Sequence, residues 1–251
     1  MSALRVFRDK NWTNPSSASY FDLDENKTRD IDIKSHQSFH SMISEDKGVT
    51  ILYQVVAEVK KSDNPWIVFR QEKQDDDSLV DAWQNLIFTT DNPCESFELT
   101  LILTANSLYT KLGWKAYSLH EAFKKPSESS RWYRAFVSAC KAAEDSYRRN
   151  YSAREQAPRT ITTLAYMMIV KPIVVLDGPL LAASLSKDED IDIEEIKFAP
   201  FDFHYASSMY DREFYRVDVV KLDSLSEYLL LIEQLLEELG DWIEKRMKYP
   251  I

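Results

Sequence analysis

Glycine is scarce in this chain, with four residues in 251, and with nine prolines there is no Gly-rich or low-complexity linker to separate it into units. No GxGxxG, Walker, HExxH or GxSxG pattern occurs, which leaves nucleotide kinases, zincins and serine hydrolases without support. Cysteine is scarcer still. Cys94 and Cys140 stand in unlike contexts without CxxC spacing, which argues against a disulfide framework and a cysteine zinc site and makes a reducing cytoplasm the expected compartment. Long apolar runs are absent too. The longest, Ile169 to Leu185, is broken by Lys171, Pro172, Asp177, Gly178 and Pro179, and the opening MSALRVFRDKNW has no apolar stretch after a basic start, so neither a membrane span nor a secretory signal is expected.

What is present suits a globular protein with one sizeable core: 44% of residues are hydrophobic, and 31 Lys and Arg oppose 41 Asp and Glu for a net charge of −10. One domain over 1–251 is the expectation. Ser19–Leu23 and Thr28–Lys34 are extended runs flanking the polar turn Asp24–Lys27, hence a hairpin. Val49–Lys60 is β-branched and long enough for a central strand, and Trp66–Phe69 extends it. Helical spacing is expected over Asp77–Phe88 and Ser130–Tyr151, and strands over Phe97–Thr104 and Tyr215–Leu222. Asp177-Gly178-Pro179 reads as a turn between apolar runs. A broad apolar face marks a C-terminal amphipathic helix over 224–247, opened by a Ser224/Glu227 capping box; docking on the sheet is expected of it rather than coiled-coil pairing. Helices and strands alternate, giving an α/β or α+β class with a mixed sheet.

Side chains two apart on a strand share a face, so Asp30 and Asp32 are expected on one side with Ile31 and Ile33 on the other, and Glu58 and Lys60 together on the next strand. If these strands pair, two or three carboxylates and an ammonium converge. Carboxylates at such range repel unless a cation sits among them, and Mg²⁺ or Mn²⁺ is the oxygen-preferring ion that fits. Such an ion polarises a phosphoryl oxygen, while Lys60 orients water or steadies the developing charge. Gln54 lies on the Glu58 face by the same period.

At these residues the chain resembles the PD-(D/E)xK, or restriction-endonuclease-like, nuclease superfamily. Arg29-Asp-Ile-Asp32 supplies the strand-borne Asp, Ala57-Glu-Val-Lys-Lys61 the ExK, and Asn64-Pro-Trp-Ile-Val-Phe69 the run that follows in one branch of that group. The resemblance covers about residues 17–70. It implies a mixed central sheet flanked by helices and a divalent-metal nuclease, with Asp32, Glu58 and the Val59 carbonyl as metal ligands and Lys60 as the catalytic lysine. Asp30 reads as a supporting or solvated carboxylate, or as an extra ligand, and Gln54 as a supporting group or a strand-end polar residue. Many members also carry a Glu on a helix before the first strand, whereas Met1–Ser17 holds only Asp9. The alternative is a module that keeps the fold for nucleic-acid binding or protein assembly without catalysis.

Nucleic acid, DNA first, is the expected partner, and a homodimer or partner subunit stays open. The segment 111–159, read as a basic helical insertion, carries eleven basic against five acidic residues, a net of +6, which leaves −16 elsewhere. A helical projection puts Arg131, Arg134, Lys141 and Arg148 on one side and Trp132, Phe136, Cys140 and Tyr147 on the other, so the basic side is expected to form a phosphate rail, with Lys61 beside it. His36 and His40 read as a loop pair.

Overall fold

The computed structural model describes residues 2–45, 47–72, 87–90, 103, 108–124, 130–156, 163–185 and 190–248. It is a mixed α/β structure. After helix α1 (Ala3–Asp9) come strands β1 (Thr13–Asp22), β2 (Lys27–Met42), β3 (Lys47–Lys61), β4 (Trp66–Glu72) and β5 (Ile87–Thr90). Helix α2 (Leu108–Leu112), β6 (Trp114–Glu121) and the long helix α3 (Arg131–Gln156) follow. Then come β7 (Thr163–Asp177), β8 (Leu180–Leu185), β9 (Ile191–Glu195), β10 (Phe198–His204), β11 (Phe214–Lys221) and α4 (Leu225–Lys248). One sheet in the order β1-β2-β3-β7-β11-β10-β6-β4-β8-β9 holds them, with β5 paired to β7 off this line.

β1, β2 and β3 form an antiparallel meander, while β3 and β7, and β7 and β11, run parallel. β7 is buried on both faces from Met167 to Leu176, as a near-continuous apolar run in a central parallel strand should be. Pro172 has no N–H to give a ladder. Along one edge of β7, β5 pairs with Met167–Val170 and β11 with Ile173–Leu176, and Pro172 falls in the gap between them. The links from β3 to β4 and from β7 to β8 are four and two residues long, so the far arm of the sheet must return to the ends of β3 and β7. There Ser62 N–H donates to the Asp177 carbonyl, and a Cβ on Gly178 would stand 2.1 Å from the Ser62 carbonyl oxygen, so the crossing admits only glycine.

Two cores lie on opposite sides of the sheet. On one, α1 and α4 cover Ile33, Val49, Ile51, Val55 and Ile173 with Phe7, Leu229, Leu236 and Leu239. On the other, α3 lays Ala135, Phe136, Ala139, Cys140 and Ala143 over Ile31, Val56, Val174, Val217 and Val219. The alanines let this helix lie close to the strands. No helix among the described residues is long and apolar enough to cross a membrane.

Several expectations need correction. The segment 111–159 is not a helical insertion, because β6 within it pairs with β4 and β10. β2 continues to Met42, so His36 and His40 stand on a strand, opposite Gln54 and Thr50 of β3, rather than in a loop. A polar run accepts strand geometry when a long apolar neighbour offers it a complete ladder. At the far end a 3₁₀ turn, Leu222–Ser224, runs directly into α4, and Glu227 accepts from Lys197 at 2.8 Å. Most of the helix expected over Asp77–Phe88, the strand expected over Phe97–Thr104 apart from Leu103, and Cys94 lie outside the described residues; Ile87 and Phe88 belong to β5.

Candidate functional site

The meander positions the acidic residues through a bulge. Ser16 pairs with Lys34, but Ala18 pairs with Ile31, so β2 carries one extra residue between these points. The period-two rule fails there: Ile31 enters the core under α3, while Ile33 enters the core under α4. Asp30, opposite Ser19 and accepting from its hydroxyl at 3.0 Å, therefore lies on the other face of the sheet from Tyr20 and Asp32. Asp30 and Asp32 do not share a face, and Asp30 does not stand behind the site.

The bulge also frees backbone groups. The regular β2–β3 ladder stops at Ile33 and Ala57. Beyond it the Val59 N–H donates to Asp32 Oδ2 at 2.7 Å, and the Ile31 carbonyl accepts from Ser17 Oγ at 3.1 Å. Asp32 is thus held by the strand end that it caps. In an extended strand a residue's N–H and C=O point to the same edge, so the Val59 carbonyl faces this same opening.

One position past the last ladder pair, Glu58 falls across from Asp32, near enough for the Asp32 charge to act on its carboxyl. Glu58 is only 7% exposed. Burial pushes its carboxyl above the usual range, Lys60 pulls it down with Nζ 2.5 Å from Oε2, and the Asp32 charge pushes it up again. Lys60 is one-third exposed and reaches solvent beside the pair. Gln54, on the same face, is buried and accepts from Ser146 and Asn150 of α3, so it fastens the helix to the sheet. Lys61 is exposed on the opposite face.

Asp32, Glu58 and the Val59 carbonyl are all oxygen donors, the kind that Mg²⁺ or Mn²⁺ accepts when water and a substrate phosphate complete the shell. Two carboxylates converge rather than three, and among the described residues no group of three or more His, Cys, Asp or Glu could hold a metal. The position of Asp9 accords with this: it pairs with Arg5 on the exposed side of α1.

The chain was compared with protein-family models, curated proteins and solved structures. Nothing matches.

The basic rail does not exist as a continuous surface. Lys141 is 6% exposed, with Nζ 2.8 Å from both Asp22 and Asp24 of the hairpin turn. Arg131 is paired with Glu121, and Arg148 lies over the Tyr210 ring and donates to the Met209 carbonyl. Arg134 is exposed. Helical projection ranks positions around one helix, whereas the hairpin turn and the 205–210 loop reach over the supposed outer face of α3 and claim Lys141 and Arg148. Sequence reasoning missed Glu121 and Ser62. Ser62 follows Glu58 and Lys60 at period two and was legible; Glu121 reaches Ser62 only through the β4–β6 pairing.

Proposed function

We propose that this chain is a divalent-metal-dependent phosphodiesterase with a restriction-endonuclease-like fold, acting on DNA. One observation carries the reading: Asp32 and Glu58 face each other across the end of the β2–β3 pair, with the Lys60 ammonium beside Glu58. It is supported by the meander that bears the motif and by the parallel strand β7 set between helical layers. When bound, a divalent cation on Asp32 and Glu58 would supply Lewis-acid polarisation of a phosphoryl oxygen. The chain's own groups do the rest. Asp32 is oriented by the Val59 N–H, Glu58 is paired with Lys60 against the burial that opposes its ionisation, and Lys60 is placed to orient water and to stabilise charge on the phosphate as it builds.

A second reading, a module that retains the fold for binding or assembly, draws on the same geometry. Asp32 already accepts a backbone N–H and Glu58 already has an ammonium partner, so both carboxylates have structural work without a metal. Wild type and Lys60→Ala, assayed on DNA and RNA in Mg²⁺, Mn²⁺ or EDTA, separate the two. Cation-dependent turnover that falls by about 10²-fold or more in the variant supports the enzyme. Equal turnover in both defeats it, and metal-independent binding without turnover in either supports the module.

A further inference from the structure

The turn that ends β6 holds a large aromatic side chain in an unfavourable place. Phe123 has φ +58°, in the left-handed region that bulky residues avoid, and its side chain is 89% exposed. Both features are costly: asparagine or glycine would relieve the backbone, and a polar side chain would suit the solvent. A residue that keeps strain and apolar exposure together is a candidate for contact with something outside the fold.

Its position says what. Glu121, two residues earlier, pairs with Trp66 in the β4–β6 ladder, and the Ala122 N–H donates to the Pro65 carbonyl at 2.8 Å. The Glu121 carboxylate accepts from Ser62 and from the Arg131 guanidinium at the start of α3. Ser62 stands just past the end of β3, two residues after Lys60. Phe123 thus follows a turn tied to the β3–β4 link, and Pro65, which that turn contacts, lies no more than about 18 Å along the chain from Lys60. Lys124 follows it in the chain. Aromatic faces interleaved with cations are how proteins hold unpaired bases, since every base has a π-face and each phosphate carries a charge.

We propose that Phe123 is a stacking platform for an unpaired nucleobase, so that the site takes single-stranded or frayed nucleic acid rather than continuous duplex. This rests on the phosphodiesterase reading for its placement, but its test reads binding. Full-length wild type, Phe123→Gly and Phe123→Trp are titrated in EDTA with labelled oligothymidylate, oligouridylate and a blunt hairpin duplex, followed by anisotropy. The glycine variant should melt at a higher temperature, bind the single strands about ten-fold more weakly, and bind the duplex as wild type does. The tryptophan variant should keep single-strand affinity. The two single strands distinguish deoxyribose from ribose substrates under the same stacking.

Unchanged single-strand affinity in Phe123→Gly overturns the proposal, as does an equal loss on the duplex. Absence of nucleic-acid binding by wild type also overturns it and leaves Phe123 as a protein contact. Lys60→Ala keeps the readings apart: if it retains turnover, the catalytic assignment falls while the Phe123 binding result stands.

Discussion

Replacing Lys141 by methionine tests the reassignment of the basic helix most directly. The ammonium sits between Asp22 and Asp24, and the Asp22 side chain is only 2% exposed. Methionine fills the same volume and removes the charge, stranding a buried carboxylate. Losing one partner of a buried pair costs about 3–5 kcal/mol. Asp22 keeps Arg29 at 3.1 Å and the N–H groups of Asp24 and Glu25, so the lower end, about 3 kcal/mol, applies here. For a chain of this size that corresponds to a drop in melting temperature of about 6–12 °C. Calorimetry at neutral pH measures it, and Lys141→Met/Asp22→Asn should recover part of the loss because the stranded charge is gone. A salt titration of DNA binding gives the opposing arm. A lysine on a phosphate rail leaves stability unchanged and lowers the salt slope by about one when removed. A melting temperature within about 1 °C of wild type together with that smaller slope would refute the clamp.

Two further predictions concern the same meander. Asp32→Ala should destabilise by about 1 kcal/mol, because the Val59 N–H loses its acceptor, while Asp32→Asn keeps an acceptor and most of the stability. Both should abolish turnover if the phosphodiesterase reading holds, and urea melts in which alanine equals asparagine would remove the capping role. Acid should weaken the hairpin clamp. Burial opposes ionisation of Asp24, yet Lys141, Ser207 and Tyr205 bring its pKa down to about 2 from 3.8. A carboxylate depressed on folding stabilises above its unfolded pKa and loses that contribution as pH falls through the folded one. Wild type should therefore exceed Asp24→Asn in melting temperature near neutrality, with the difference closing as pH falls from about 4 to about 2. A constant difference across that range would mean that the clamp does not depend on this charge.

The sequence by itself determined the hairpin, the long β-branched strand, α3 and the amphipathic C-terminal helix, because apolar periodicity and turn residues act within a few positions. It also brought Glu58 and Lys60 to one face, since period two needs only the strand. The rest depended on partners distant in the chain. The bulge that turns Asp30 away from Asp32 exists because two strands meet out of step, and no pattern within β2 announces it. Lys141 looked like a solvated helix residue until Asp22 and Asp24, more than a hundred positions earlier, were folded over it. Glu121 reaches Ser62 only because β6 pairs with β4. Charges and exposed rings take their meaning from which strands adjoin, and that adjacency is decided by burying both faces of one sheet.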